Sequence, residues 1–169
     1  MSRHLPNLGA LLEYLLGLLD EGASRIYAEL ELDFRPRFTP VLRHLAARGP
    51  CSIRELASAT CLTHSATSQT VAAMRTAGLV AVRAGKDVGR ERRVQLTPKA
   101  IRMHATLERA WAAMDDASAR LLDEVAPNLE RDLATAVAAL ERQPFAERIH
   151  RRGMPVPGTR RPRGRTTQD

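Results

Sequence analysis

The sequence predicts a mainly α-helical fold that carries one small β-hairpin. Leu and Ala dominate the apolar residues and aromatic residues make up only 4% of the chain, a composition that favours helices over sheets. Between residues 52 and 99 the pattern changes, because two short helical stretches are followed by two β-rich runs. With 169 residues, 44% of them apolar, the chain is long enough for one domain with a proper core.

Two helices are predicted in the first 50 residues. Asn7 can cap the first helix, which runs to about Leu32 and has leucines recurring at helical spacing. Its apolar face is broad, so it needs more than one neighbouring helix. Thr39 and Pro40 form a cap followed by a first-turn proline, and they predict a second helix that ends at Gly49.

The third and fourth helices form a helix-turn-helix, predicted over about residues 52–77. Ser52 with Glu55 three residues later is a capping-box pattern, which predicts where the short third helix begins. Thr63 can cap the fourth helix, and Gly78 is placed to end it. Two extended runs, residues 79–83 and 92–96, then predict a hairpin over about 79–96, so the order is that of a winged helix-turn-helix.

The rest of the chain predicts two more helices and a tail. Thr97 and Pro98 repeat the cap-plus-proline signature and open a long helix, which Pro127 breaks before a last helix ends near residue 143. Residues 1–149 are therefore expected to form the folded domain. Residues 150–169 carry six arginines and almost nothing apolar, so we expect this tail to be disordered.

The net charge of +7 is concentrated in two segments. Residues 51–100 carry eight basic and three acidic side chains, and residues 150–169 carry six and one. Residues 1–50 are balanced, and residues 101–149 are acidic. A positive winged module on a neutral or acidic helical body indicates attraction to the phosphates of double-stranded DNA.

The fourth helix is predicted to contact bases in the major groove. A helical projection turns Thr67, Val71 and Met74 towards the core, and Ser65, Gln69, Ala73 and Thr76 outwards. Gln69 can bond to adenine, while Ala66 or Ala72 can contact a thymine methyl. The predicted DNA-binding set on this helix is Thr63, His64, Ser65, Thr67, Ser68 and Gln69.

The hairpin is predicted to add a positive tip. Its basic residues outnumber Asp87 and Glu91; they are Arg83, Lys86, Arg90, Arg92 and Arg93. Lys86, Arg90 and Arg92 are the predicted DNA contacts, with Arg90 inserted into the minor groove, where a narrow A·T tract deepens the negative potential. Because side chains alternate along a strand, Arg92 and Arg93 cannot both face DNA, and one of them is expected to pair with an acid elsewhere.

An ordered series of short motifs resembles the MarR (multiple-antibiotic-resistance regulator) family of bacterial transcription factors. The motifs are Arg48-Gly49-Pro50, Glu55-Leu56-Ala57, Thr67-Ser68, Gly78-Leu79-Val80 and Leu96-Thr97-Pro98-Lys99. The resemblance implies a homodimer held by helices at about 8–32 and 98–143. It also implies a repressor that binds a pseudo-palindromic operator and is released by a small aromatic or phenolic effector. Candidate pocket residues are His44, His104 and Trp111.

The sequence departs from the family pattern in three places. The turn of the helix-turn-helix has Cys61 where such proteins commonly have glycine, so a positive φ would strain it. The usual arginine after the serine of the fourth helix is Gln69 here. In the hairpin, Val88 stands where an aspartate is usual and Asp87 is displaced by one residue. Arg90 is therefore the hairpin residue that still matches the family pattern.

Other functional classes have weaker support in the sequence. Two cysteines without a signal peptide predict a reducing cytoplasm, and the Leu-rich start is too short and too charged to span a membrane. The patterns of the common catalytic motifs are absent, so we expect neither an enzyme nor a cofactor. Two alternatives stay open: a winged helix used for protein contact, and a redox- or metal-responsive variant that uses Cys51 or Cys61.

Overall fold

The computed structural model describes residues 7–84 and 92–152, in two compact units that are divided between Asp116 and Ala117. In chain order, the first unit contains α1 (Leu8–Glu29), α2 (Thr39–Arg48), β1 (Cys51–Ser52), α3 (Ile53–Thr60), α4 (His64–Thr76), β2 (Val80–Ala84), β3 (Arg92–Leu96) and the start of α5 (Pro98–Val125). The second unit contains the end of α5, α6 (Leu129–Arg142) and α7 (Phe145–Arg151). The predicted fold class, mainly helical with a small hairpin, is confirmed. The hairpin tip, residues 85–91, lies outside the described residues.

The first helix begins as predicted and ends early. The backbone N–H of Ala10 donates to Asn7 Oδ1 at 3.0 Å, so Asn7 is the cap. The helix ends at Glu29, before Leu32, and the chain turns at Glu31 with a φ of 54°. This left-handed residue cannot continue a right-handed helix, and it therefore separates α1 from the loop that follows.

The prediction that Thr39 caps the second helix is wrong. A 3-10 turn at Pro36–Phe38 leads directly into α2, so Thr39 is the first residue of the helix and Phe38 is its N-cap, with no side-chain cap bond. The Thr39 hydroxyl lies 3.3 Å from the Tyr27 hydroxyl. The threonine thus contributes to packing between the end of α1 and the start of α2.

The sheet has three antiparallel strands in the order β1-β3-β2. Val94 at the centre of β3 is fully buried and lies opposite Val82 on one side and Cys51 on the other. The two-residue strand β1 was not predicted from the sequence. It attaches the start of α3 to the hairpin, because Ser52 both pairs with β3 and caps α3.

The helix-turn-helix has the predicted local chemistry. Glu55 N donates to Ser52 Oγ at 3.2 Å and Ser52 N donates to Glu55 Oε2 at 2.6 Å, which completes the capping box. Cys61 ends α3 in the left-handed region with a φ of 55°. Ala66 N donates to Thr63 Oγ1 at 3.1 Å, so Thr63 is the cap of α4.

The end of α4 is bonded to the start of α5. Gly78 has a φ of 71° and closes α4 with two backbone hydrogen bonds of the Schellman type. The Thr97 hydroxyl donates to the Gly78 carbonyl at 2.7 Å, and Lys99 Nζ donates to the Ala77 carbonyl at 2.9 Å. These two residues therefore bind the carbonyls of the two residues that follow α4.

A group of aromatic residues joins α1, α2 and α5 in the first unit. Phe34 packs edge-on against both Tyr27 and Phe38, with ring centroids 5.1 and 5.7 Å apart. Trp111 is buried beside Phe34, and its Nε1 donates to the Tyr27 hydroxyl at 2.9 Å. Arg43 lies 4.8 Å from the Trp111 ring centroid and covers it from solvent.

The second unit adds a helix that was not predicted. Pro144 follows the end of α6 and caps α7, which extends to Arg151 and so includes the first two residues of the predicted tail. Arg148 donates to the carbonyls of Ala139 and Gln143 at 2.8 and 3.1 Å, which fixes α7 to the end of α6. Residues 153–169 lie outside the described residues. In the part of the chain that is described, no helix is long and apolar enough to cross a membrane.

Candidate nucleic-acid interface

The exposed face of α4 carries small and polar side chains. Ser65, Ser68, Gln69 and Ala72 are exposed, as the predicted contact role of the first three requires. Ala73, which the projection turned outwards, is half-buried. Compared with the projection, the core side of α4 is centred nearer Thr70, which is buried together with Val71 and Met74. Ala72 therefore lies on the outer face in place of Ala73.

Thr67 is corrected from a DNA contact to a core residue. Its side chain is fully buried, and its hydroxyl donates to the Thr63 carbonyl at 2.9 Å. A buried hydroxyl with its hydrogen bond already made cannot reach a phosphate or a base edge. The helical projection had indicated the core position correctly, and the contact role was wrong.

The start of α4 presents polar groups and free backbone donors to solvent. Thr63 and His64 are both exposed, and the N-terminal turn of this 13-residue helix has no acidic side chain. The unpaired N–H groups and the positive end of the helix dipole favour an anion there. This end of α4 can therefore bind a phosphate of a DNA backbone.

The hairpin separates its two neighbouring arginines. Arg93 donates from Nε and Nη2 to the Pro50 carbonyl, at 3.2 and 2.6 Å. Arg92 is exposed and lies opposite Ala84, on the other side of the strand. The prediction that only one of the two can face DNA is consistent with this alternation, although the partner of Arg93 is a carbonyl and not an acid. Lys86 and Arg90 lie outside the described residues.

Arg54 was missed by the sequence reasoning. It is the second residue of α3, where the helix dipole disfavours a cation, and it is exposed. Among the described residues, no hydrogen bond or ion pair engages it. A cation at the wrong end of a helix is the signal that could have identified Arg54 as a phosphate-binding candidate.

Two ionisable groups at the start of α3 have shifted pKa values. Hydrogen bonds from Ser52 lower the pKa of Glu55, with smaller contributions from Arg93 and His44. Burial raises the pKa of the Cys51 thiol, and the negative charge of Glu55 raises it further, while Arg93 opposes both. Cys51 is therefore held in its protonated, unreactive form.

The residues available for metal binding or oxidation are dispersed. Within residues 7–84 and 92–152, no three His, Cys, Asp or Glu side chains are grouped so that they could hold a metal ion. Both cysteines are free; Cys51 is buried and Cys61 is exposed. A thiol reaction in the folded protein would therefore take place at Cys61, in the turn between α3 and α4.

The first unit also contains a cavity of about 410 Å³. Its lining residues come from the end of α2, the sheet and the start of α5; they are Leu45, Ala46, Gly49, Pro50, Gln95, Leu96, Ile101 and His104. His104 Nε2 lies 3.3 Å from Glu108 Oε1, but without hydrogen-bond geometry, and it is left unsatisfied. Of the predicted pocket residues, His104 lines the cavity. Trp111 is buried in the aromatic group, and His44 is not part of the lining.

Comparisons with known proteins agree with this architecture. Residues 36–91 match the MarR family. The structure of the transcriptional regulator PA3341 is similar, with 26% identity and a TM-score of 0.59 over 81% of this chain and 100% of that one. No curated protein matches the chain.

Two further solved structures share the fold. The MarR family regulator NMB1585 from Neisseria meningitidis is 19% identical, with a TM-score of 0.57 over 83% of this chain and 96% of that one. BpsR from Bordetella bronchiseptica, whose DNA binding is regulated by 6-hydroxynicotinic acid, is 14% identical, with a TM-score of 0.61 over 83% and 97%. The segment that matches the MarR family contains the whole helix-turn-helix, and the solved structures share the winged-helix fold over most of the chain.

Proposed function

We propose that the protein is a homodimeric transcriptional repressor that binds a pseudo-palindromic operator and releases it when a small aromatic molecule binds. The observation that carries the DNA-binding part is the exposed face of α4, which is polar, free of acidic side chains and followed in the chain by a hairpin with an exposed Arg92. In this arrangement α4 enters the major groove and the hairpin reaches the neighbouring minor groove.

The proposed dimer is supported by the apolar surface of α1. Tyr27 is the buried residue of this 22-residue helix, whereas its leucines are largely exposed, Leu16 by 58%. The second unit has apolar exposure of its own on α6, at Leu133, Val137 and Leu140. Apolar area on this scale needs a partner surface, and a second copy of the chain supplies one. Two copies of α4 about one DNA turn apart, roughly 34 Å, would then meet successive major grooves.

The proposed effector site is the cavity beside the hairpin. Its volume of about 410 Å³ lies in the range of small-molecule sites, and its wall is mostly apolar, with Gln95 and His104 as polar groups. Gln95 and Leu96 belong to β3, so a ligand there would contact the same strand that carries Arg92. The regulation of BpsR by 6-hydroxynicotinic acid supports an aromatic acid as the class of ligand.

The DNA-binding proposal is tested by selection from random duplexes with the purified full chain. A recovered inverted repeat, bound more tightly than its scrambled sequence and with an affinity that falls steeply as salt increases, would support it. Equal affinity for the selected and scrambled duplexes would contradict it. A reporter gene placed behind the recovered site then separates repression from activation.

The dimer is tested by light scattering of the eluting protein at micromolar concentration. Leu16→Lys places a charge in the apolar face of α1 and is expected to give monomers, whereas Ser24→Lys, an exposed position on the polar face, is expected to leave the dimer intact. A wild-type chain that elutes as a monomer would contradict the proposal.

The effector site is tested with 6-hydroxynicotinic acid as the first probe. Trp111 is the single tryptophan of the chain, and its ring lies 6.2 Å from that of His104. Binding in the cavity is therefore expected to change Trp111 fluorescence and to release the selected duplex, and His104→Leu is expected to weaken both effects. Release of DNA that His104→Leu does not alter would place the ligand elsewhere.

A further inference from the structure

We infer that the cavity beside the hairpin binds an aromatic acid together with one proton, which the imidazole of His104 takes up from water. The inference rests on the proposed effector site and specifies how that site balances the charge of its ligand. The affinity for an acid is then expected to rise as the pH falls, whereas the affinity for the uncharged amide of the same acid is not.

The first supporting observation is the charge of the cavity wall. The residues that line the cavity are mostly apolar, and they include no arginine, lysine or carboxylate. A carboxylate that leaves water for such a surface needs a partner of opposite charge, because burying an unpaired charge is costly. Histidine is the side chain that gains a positive charge near neutral pH, and His104 is the histidine in this wall.

The second observation is the state of His104 Nε2. This atom is buried and has no hydrogen-bond partner within the part of the chain that the structure describes. A buried, unsatisfied nitrogen in the wall of a cavity indicates a partner that arrives from the cavity. The side chain as a whole is 31% exposed, so water can deliver the proton. Both nitrogens of a charged imidazole carry a hydrogen, and Nε2 is then a donor for the carboxylate of the ligand.

The third observation concerns Glu108, which lies one turn after His104 on α5. Its Oε1 is 3.3 Å from His104 Nε2, so an imidazolium at this position has an anion beside it. The pair lacks hydrogen-bond geometry, which leaves Nε2 free to donate to a ligand. The Glu108 side chain is 60% exposed, so water screens its repulsion of a second carboxylate.

The other ionisable groups on the elements that border the cavity do not line it. Glu108 is the first acid of α5, and neither α2 nor β3 has an acidic side chain. His44 on α2 contributes to the lowered pKa of Glu55 and lies outside the cavity wall. The cations of these elements are exposed side chains outside the lining; they are Arg43, Arg48, Arg92, Arg93, Lys99 and Arg102. Among the described residues, His104 is therefore the group that can supply the opposite charge.

The experiment compares 6-hydroxynicotinic acid with its uncharged amide, 6-hydroxynicotinamide, on the full chain without DNA. Trp111 fluorescence measures both affinities between about pH 6 and about pH 9, the range that spans the titration of a histidine. Above the histidine range, uptake of one proton is expected to weaken binding of the acid about tenfold per pH unit. Binding of the amide is expected to change less than about twofold over the same range.

Calorimetry counts the protons without any substitution. Binding is measured in buffers that differ in their enthalpy of ionisation, at a pH above the histidine range. Uptake of about one proton per bound acid, and of none per bound amide, is expected.

His104→Gln provides the test of the residue, because glutamine keeps a polar side chain but does not titrate. In this variant the affinity for the acid is expected to become independent of pH, while binding of the amide persists and shows that the cavity is intact. His44→Gln is the matched control, since it removes a histidine from the neighbouring helix α2 that does not line the cavity. In the control the pH dependence is expected to persist in full.

The outcomes separate this inference from the proposed function. An acid affinity that does not change with pH, an equal pH dependence for the amide, or a pH dependence that survives in His104→Gln overturns proton uptake by His104 and leaves the effector site in place. Binding of the amide without any binding of the acid does the same. A chain that binds neither probe at any pH contradicts the proposed effector class, and this inference falls with it.

Discussion

Arg93 in β3 holds the carbonyl oxygen of Pro50 with two donors, Nε at 3.2 Å and Nη2 at 2.6 Å. Pro50 lies between the end of α2 and β1, so this contact fixes the segment that precedes the helix-turn-helix to the hairpin. The neighbouring Arg92 lies on the other side of the strand and is exposed. Two adjacent arginines thus have different tasks, one within the protein and one facing solvent.

The first prediction compares alanine substitutions at these two arginines. Arg93→Ala is expected to lower the free energy of unfolding by about 1 kcal/mol, because a charged donor pair is lost at an exposed position. Arg92→Ala is expected to leave stability unchanged and to weaken binding to all duplexes alike. The slope of log affinity against log salt concentration is expected to fall in magnitude by about one. Urea denaturation and a salt series of binding measurements check both. Equal loss of stability in the two variants would contradict the division of roles.

The second prediction concerns the base preference of Gln69. Gln69→Ala is expected to cost about 1–3 kcal/mol at one adenine of the selected site and to relax preference at that position only. Thr67→Val is the contrasting variant, since Thr67 is fully buried and bonded to Thr63. It is expected to lower stability without changing base preference. Binding to a set of single-base variants of the site measures this, and a shifted preference in Thr67→Val would restore Thr67 as a contact.

The third prediction concerns the strained turn at Cys61. A residue with a side chain is strained at a φ of 55°, whereas glycine is not, so Cys61→Gly is expected to raise the free energy of unfolding by about 0.5–1 kcal/mol. Cys61→Ala removes the sulfur but keeps the Cβ atom, and it is expected to give no gain. Thermal unfolding at one fixed protein concentration compares the three proteins. A gain in the alanine variant would show that the sulfur, and not the backbone, is the cause.

The fourth prediction concerns pH and the capping box. Because the pKa of Glu55 is lowered in the folded protein from an ordinary value of 4.5, its charge stabilises the fold above that value. This contribution is lost as the pH falls from about 4.5 through the lowered pKa. Glu55→Gln keeps an acceptor for Ser52 N but does not titrate, so its stability should fall less steeply over this range. Urea denaturation at several pH values checks it, and parallel curves for the two proteins would contradict the assignment.

The fifth prediction concerns the two thiols. Cys61 is exposed, whereas burial raises the pKa of Cys51 and removes it from solvent. Iodoacetamide at neutral pH is therefore expected to label Cys61 in the folded protein and Cys51 only after denaturation. Mass spectrometry of the peptides measures the order of labelling. Labelling of Cys51 first would require an opening of the sheet that the described fold does not show.

Most helix boundaries could be predicted because capping is a local property of the sequence. Asn7, Ser52 and Thr63 each accept from the backbone N–H three residues ahead, and the residue types alone indicate this. Thr39 was misread because its surroundings are not local: Pro36 starts an earlier turn and the Thr39 hydroxyl lies against that of Tyr27. The same reason applies to β1, which exists only because it pairs with β3, far along the chain.

The exposed face of α4 could be predicted in outline and not in detail. The rotation of α4 depends on which side chains enter the core, and the burial of Thr70 shifted the outer face from Ala73 to Ala72. The partner of Arg93 is a backbone carbonyl, which has no residue signature in the sequence. Contact chemistry is thus readable from residue types, whereas its placement depends on packing between distant segments.

Thr97, just before α5, and Lys99, in its first turn, bind the carbonyls of Gly78 and Ala77, the two residues that follow α4. Helices α4 and α5 are consequently linked by side-chain hydrogen bonds where one ends and the other begins. In the proposed dimer, the separation of the two copies of α4 would depend on how α5 is held against the second copy. Mutations far from DNA, along α5, would then alter how well the protein measures the spacing of its operator.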